Sequence, residues 1–200
     1  NSSGMGIIVG RCYGTVSNCH VTNSTLSSND SFYTGGISGY TNGRIINCSV
    51  KNTTLEASLG SLGIITGYLH EGNIMNSYSC HNTVNKKSTH NGGICGYGLN
   101  GTLTNCYVYS NNNVKGHIIG TGKHAVITYC YCDQLPFIYS NEEGCSYGKN
   151  YQYTTNFTAT SNNTPIYQLL NQWIESQDTT SDTYTPWKEH SSLPAAFITQ

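Results

Sequence analysis

Apolar residues along most of the chain occur in short, alternating stretches that are bounded by Gly or Asn. Such stretches predict β-strands rather than helices. A helical spacing of apolar residues appears only near the C-terminus, at Ile166, Leu169, Leu170, Trp173 and Ile174. The pattern therefore predicts an all-β protein with one amphipathic helix over about residues 165–176.

The apolar stretches belong to five copies of one repeat, each with an Asn-Cys pair or its equivalent. The first four pairs are 29 residues apart, and the fifth follows after 24. The pairs are Asn18-Cys19, Asn47-Cys48, Asn76-Ser77, Asn105-Cys106 and Tyr129-Cys130. Upstream of each pair lies a Gly-x-Ile-x-Gly segment, and the central residues are Ile8, Ile37, Ile65, Ile94 and Ile118.

One copy cannot bury its apolar stretches alone, whereas stacked copies place equivalent side chains above one another in a continuous interior. We therefore predict a parallel β-helix of about five coils over residues 1–148, about 24 Å tall. The five Ile residues form one inward ladder, and a second consists of Cys19, Cys48, Cys106 and Cys130. A bend at each Asn suits the left-handed conformation that Asn tolerates. Side-chain amides should then form a third ladder, of Asn18, Asn47, Asn76 and Asn105.

The repeat resembles the GLUG-motif repeats of bacterial surface and secreted proteins, common in Bacteroides-like organisms. Residues 35–48 read Gly-Gly-Ile-Ser-Gly-Tyr-Thr-Asn-Gly-Arg-Ile-Ile-Asn-Cys, close to that family's pattern, and the likeness covers about residues 4–132. The resemblance implies a right-handed parallel β-helix and a surface or adhesin-like role, with no catalytic residues in the motif. Such repeats also occur as non-catalytic parts of large secreted peptidases. Since the fifth copy has Tyr129 in place of Asn, we expect it to be the last coil.

Residues 149–200 are predicted to form a C-terminal cap. Thr164 and Pro165 suit the N-cap and the first position of the helix. An amphipathic helix laid over the last coil would protect its exposed edge from pairing with other chains. The alternative is an element that docks a partner.

Candidate chemistry is sparse. Buried cysteine behaves as a small hydrophobe, so we expect free thiols in the ladder, whereas one disulfide stays open among Cys12, Cys80, Cys95, Cys132 and Cys145. Seven scattered His residues show no metal-ligand spacing, and no metal or cofactor is predicted. Glycan-cleaving enzymes need two placed carboxyl groups. The ten acidic residues repeat at no fixed place in the coil, which favours a non-enzymatic protein over a lyase or hydrolase.

Composition argues against nucleic acid as a partner and against a membrane-spanning segment. Only 10% of residues are charged and the net charge is −1, so nothing supplies the positive charge that nucleic-acid binding needs. No apolar run approaches the length of a membrane span. The first residues show no signal peptide pattern, and we expect a signal or anchor to lie outside this segment.

Tyrosine supplies the candidate binding residues, in two columns that should face outward from the coils. One column consists of Tyr78, Tyr107 and Tyr131, and the other of Tyr40, Tyr68 and Tyr97. Exposed aromatic rows suit sugar rings or a protein partner. Strands also favour Tyr for purely structural reasons. The sequence therefore predicts a secreted or cell-surface adhesin-like module that binds a glycan or a host surface protein, with a spacer or stalk as the alternative. It predicts no oligomeric state.

Overall fold

The computed structural model describes residues 4–86, 90–147, 152–153, 164–178 and 183–198. Parallel strands are stacked as a β-solenoid with four to six strands in its longer sheets, and the described residues contain a single short helix, near the C-terminus. The predicted all-β solenoid is therefore confirmed.

Five parallel sheets form the walls of the solenoid. Sheet 1 consists of Gly4–Gly6, Tyr33–Gly35, Ser61–Gly63 and Asn91–Gly92. Sheet 2 consists of Val9–Cys12, Ser38–Thr41, Thr66–His70, Cys95–Leu99, Ile119–Lys123 and Ile138–Glu143. Sheet 3 consists of Thr15–Ser17, Arg44–Ile46, Asn73–Met75, Thr102–Thr104, Val126–Thr128 and Ser146–Tyr147. Sheet 4 consists of His20–Thr22, Ser49–Lys51, Tyr78–Cys80, Tyr107–Tyr109, Tyr131–Cys132 and Gln152–Tyr153, and sheet 5 of Thr25–Ser28, Thr54–Ala57 and Thr83–Lys86.

The repeat period sets the strand register. In sheet 3, Ile74 pairs with Ile45 on one side and with Leu103 on the other, each 29 residues away. Equivalent side chains therefore lie above one another, and the interior is filled by rows of aliphatic residues and thiols.

The Ile ladder is confirmed for the four later coils and wrong for the first. Ile37, Ile65, Ile94 and Ile118 are fully buried. Ile8 is 46% exposed, although the pairing of Val9 with Ser38 places it in register with Ile37. It lies in the first coil, which no other coil covers among the described residues.

The thiol ladder is buried at Cys48, Cys106 and Cys130, whereas Cys19 of the first coil is only partly buried. All nine cysteines are free, as expected for the ladder thiols. The open alternative of one disulfide is therefore not realised in this structure.

The solenoid continues beyond the fifth repeat copy. Ile138–Glu143 pairs with Ile119–Lys123, and Ser146–Tyr147 pairs with Val126–Thr128. Gln152–Tyr153 extends sheet 4 beyond the predicted boundary at residue 148. These strands lack the repeat motif. They can still pair, because the hydrogen bonds of a parallel ladder join backbone groups.

The helix spans Ile166–Glu175, within the predicted range. Its N-cap is Pro165 and no side chain caps it, so the prediction of a Thr164 cap was wrong. The helix buries Ile166, Leu170 and Trp173. A short antiparallel pair, Trp187–Lys188 with Ala196–Phe197, follows it. In the part of the chain that is described, no helix has the length and apolar character needed to cross a membrane.

Candidate binding surfaces

The two tyrosine columns differ in exposure. Tyr78, Tyr107 and Tyr131 lie on sheet 4 and are exposed by only 7%, 0% and 2%. They point away from the solenoid interior, as predicted, but they pack in a second apolar cluster with residues of the C-terminal segment. The expectation that this column faces solvent was therefore wrong.

The C-terminal segment covers the sheet 4 column with aromatic side chains. The Trp187 ring lies 5.7 Å from the ring of Tyr78 and 5.6 Å from that of Tyr107, and Phe197 lies 5.4 Å from Tyr78. The Tyr107 hydroxyl donates a hydrogen bond of 2.5 Å to the Ala195 carbonyl. Burial raises the pKa of Tyr107 well above its ordinary value, so this hydroxyl remains a donor. This tyrosine column is therefore the surface on which the C-terminal segment of the same chain packs.

The asparagine ladder is confirmed. All four Asn residues have positive φ, between 48° and 55°. Each side-chain amide donates to the previous rung, with distances of 3.1 Å from Asn47 to Asn18, 2.7 Å from Asn76 to Asn47 and 2.7 Å from Asn105 to Asn76. The ladder ends at Tyr129, which keeps a φ of 52° but has no amide, and the buried Oδ1 of Asn105 has no hydrogen-bond partner.

The same ladder also binds the C-terminal segment, which sequence reasoning missed. Asn76 Nδ2 donates to the Thr185 carbonyl at 2.9 Å, and its Oδ1 accepts from Trp187 Nε1 at 2.6 Å. Asn105 Nδ2 donates to the Leu170 carbonyl at 3.2 Å. The tail therefore lies along a side wall of the solenoid, a position that the sequence analysis did not predict.

The sheet 2 column remains at the surface. Tyr40, Tyr68 and Tyr97 are half-buried, and their ring centres lie 5.5 and 5.4 Å apart. Tyr33 stacks on Tyr68 at 4.7 Å, and Tyr13 extends the row 5.9 Å beyond Tyr40. We call these five residues the tyrosine strip. Because most of its inner rings lie against one another, the strip presents mainly ring edges and hydroxyl groups.

The two ends of the strip differ in charge. At one end, Tyr13 is 64% exposed, and Arg11 donates to its hydroxyl at 3.3 Å and lies 5.6 Å from the Tyr40 ring centre. At the other end, the Tyr97 hydroxyl donates to Glu142 at 2.6 Å. Burial and the Glu142 carboxylate raise the pKa of Tyr97. The strip therefore runs from a cationic end with a free ring face to an acidic end.

The hydroxyl groups of Tyr68 and Tyr97 keep their protons. Burial and the neighbouring Tyr33 and Tyr40 raise the pKa of Tyr68 to about 12. His70 stacks on Tyr68 at 6.0 Å, and its Nδ1 lies 3.1 Å from the Tyr40 hydroxyl. The strip can therefore donate hydrogen bonds to a polar ligand while its ring edges make apolar contacts.

The buried thiols and the His20–Ser49 pair are the potential nucleophiles among the described residues. Burial raises the pKa of Cys48, Cys80, Cys95 and Cys132 to about 12, which leaves these thiols protonated and weakly nucleophilic. His20 Nδ1 lies 2.9 Å from the Ser49 hydroxyl, and no carboxylate of the described residues is hydrogen-bonded to that His. No three metal-ligating side chains cluster in the described ranges.

Comparisons with known proteins add no relative. No family model, curated protein or solved structure matches this chain. The structure defines the protein as a parallel β-solenoid, and a function has to be argued from its surfaces.

Proposed function

We propose that this chain is a non-enzymatic, adhesin-like module of a bacterial cell surface or secreted protein, which binds a glycan or a host surface protein through the tyrosine strip. The observation that carries the proposal is the continuous row of partly exposed rings on sheet 2. The resemblance to GLUG repeats supports the same role and location.

The tyrosine strip combines properties that suit recognition of another molecule. Tyr side chains offer a large apolar body and a polar tip at low entropic cost, and they are enriched at binding surfaces. Exposed Tyr13 offers a ring face for stacking, and Arg11 beside it gives this end of the strip a positive charge. Ligand contact should therefore centre on the Arg11 end of the strip.

Binding of the purified chain to arrays of mucin glycans, plant polysaccharides and matrix proteins tests the proposal. Tyr13→Ala removes the exposed ring with little effect on folding, and we expect it to lower the affinity about tenfold. Tyr139→Ala is the matched control, because Tyr139 is 50% exposed and contacts Lys115 outside the strip. A bound ligand that is equally sensitive to both variants would contradict this site.

A spacer or stalk, or a non-catalytic part of a larger secreted enzyme, is the alternative. The stacking of the inner rings favours it, since cross-coil contacts such as Tyr33 on Tyr68 stabilise the solenoid without any ligand. Absence of binding to every array, from a folded sample, would support the spacer. A polysaccharide lyase or hydrolase has less support because the ten acidic residues of the sequence repeat at no fixed place in the coil.

A further inference from the structure

A cleft between sheet 4 and the C-terminal segment gathers basic side chains. It has a volume of about 360 Å³, and its four basic residues are His20, Lys51, Lys188 and His190. None of the described residues that line it is acidic. Sheet 4 and the tail contribute two basic residues each, so the cleft exists only where the tail is docked on the wall.

The positive charge of the cleft comes from Lys51 and Lys188, because burial lowers the pKa of His20 below its ordinary 6.5 and leaves that ring neutral at pH 7. The protein has only 9 Lys and Arg against 10 Asp and Glu. Neither Lys51 nor Lys188 forms an ion pair with a carboxylate of the described residues. Cations that share a cleft without a counter-ion attract an oxyanion from solution.

Aromatic rings and neutral polar groups border the same cations. The Phe197 ring lies 5.5 Å from His20 and 5.4 Å from Tyr78 within the cleft. A second cleft, of about 510 Å³, shares His20 and Phe197 with the first and is also lined by Asn18, Thr183 and Thr185. The two adjacent clefts therefore place a cationic part next to a set of hydroxyl and amide groups.

We propose that the two adjacent clefts bind an acidic sugar. Lys51 and Lys188 pair with its carboxylate or sulfate group. Thr183 and Nδ2 of Asn18 offer partners for the hydroxyl groups of a neighbouring sugar, whereas the Thr185 hydroxyl already donates to Asn18 Oδ1. The site lies on sheet 4 and the tyrosine strip on sheet 2, so this proposal and the proposed function can fail separately.

Isothermal titration calorimetry of the purified chain tests the proposal with three probes. Trigalacturonate carries carboxylates, a heparin-derived disaccharide carries sulfates, and maltotriose is neutral. We expect saturable binding of an acidic probe and no binding of maltotriose at the same concentration. Binding of trigalacturonate alone, or of the heparin disaccharide alone, supports the site and identifies which oxyanion it prefers.

Charge-removing variants locate the binding. Lys51→Gln and Lys188→Gln should each weaken the acidic probe about tenfold, because each removes one charge-assisted contact. Lys115→Gln, outside the cleft beside Tyr139, is the matched control and should bind as the unaltered chain does. Both lysines of the cleft keep solvent contact, so the variants should fold, which circular dichroism checks.

Three results would overturn the proposal. They are equal binding of maltotriose, unchanged affinity in the Lys51→Gln/Lys188→Gln double variant, and no binding of either acidic probe. Tyr13→Ala should leave acidic-sugar binding unchanged, which separates this site from the tyrosine strip.

Discussion

Replacing Trp187 by alanine should release the C-terminal segment from sheet 4. Trp187 is 1% exposed, packs against the rings of Tyr78 and Tyr107, and donates from Nε1 to Asn76. Truncation of a buried Trp to Ala costs about 3–5 kcal/mol, of which the hydrogen bond contributes about 1 kcal/mol. Since the solenoid coils contact one another independently of the tail, we expect most of this loss to appear as local opening of the tail.

Reactivity of the Cys80 thiol measures that opening. Cys80 is fully buried in the cluster that contains Trp187, and burial raises its pKa to about 12. A thiol reagent can label it only after the tail opens. A loss of 3–5 kcal/mol should therefore speed its labelling roughly 100- to 4,000-fold, as followed by mass spectrometry of peptides. Trp187→Phe keeps most ring contacts and should speed it by only about tenfold.

Cys48 provides the internal control. It is buried in the solenoid interior, in the other apolar cluster, so opening of the tail leaves it protected. An equal increase at Cys48 and Cys80 in Trp187→Ala would mean that tail and solenoid unfold together. No increase at either thiol would mean that Trp187 does not hold the tail. Both results would refute the reasoning.

Three further predictions concern the ladders. Asn76→Ala should lower the free energy of unfolding in urea by about 3–5 kcal/mol, because it loses hydrogen bonds and places a Cβ-bearing residue without them at positive φ. Asn76→Gly should lower it by about 1 kcal/mol less, because Gly adopts positive φ without strain; equal losses in the two variants would mean that strain contributes nothing. Tyr129→Asn should raise it by about 1–2 kcal/mol, since an amide there can donate to the unpartnered Asn105 Oδ1; unchanged stability would contradict this. Burial raises the pKa of Cys48 from 9.0 to about 12, so between these values the unfolded state loses a proton that the folded state keeps, and stability should fall as pH rises above 9. Cys48→Ser, with the side chain that Ser77 already has at this position, should make that fall less steep in urea unfolding at several pH values.

The repeat alone was sufficient to predict the solenoid and its rungs. A period of 29 residues sets the register of every parallel pair it includes, and register decides which side chains stack. The positive φ of Asn47 followed from the break in alternation between Ile45 and Cys48. These predictions succeeded because they depend on local conformation and on contacts between equivalent positions.

The repeat pattern could not predict which wall of the solenoid the C-terminal tail packs against. Tyr78 and Tyr40 lie in columns of the same kind, and only Trp187 and Phe197, more than a hundred residues later, decide which column is covered. One signal was present. A buried Trp needs an acceptor for its Nε1 hydrogen, and stacked amides such as Asn76 supply unusual buried acceptors.

Docking of the tail and binding in the basic cleft must be coupled. Strand alternation directs Trp187 into the wall and leaves the next residue, Lys188, exposed at the cleft, so one strand both anchors the tail and supplies a cation. An acidic sugar that binds only the docked tail stabilises that state by mass action. At a free concentration of about 100 times its Kd, the sugar should slow Cys80 labelling about a hundredfold and leave Cys48 labelling unchanged. An acidic sugar that binds without slowing the labelling of Cys80 would place its site elsewhere on the solenoid.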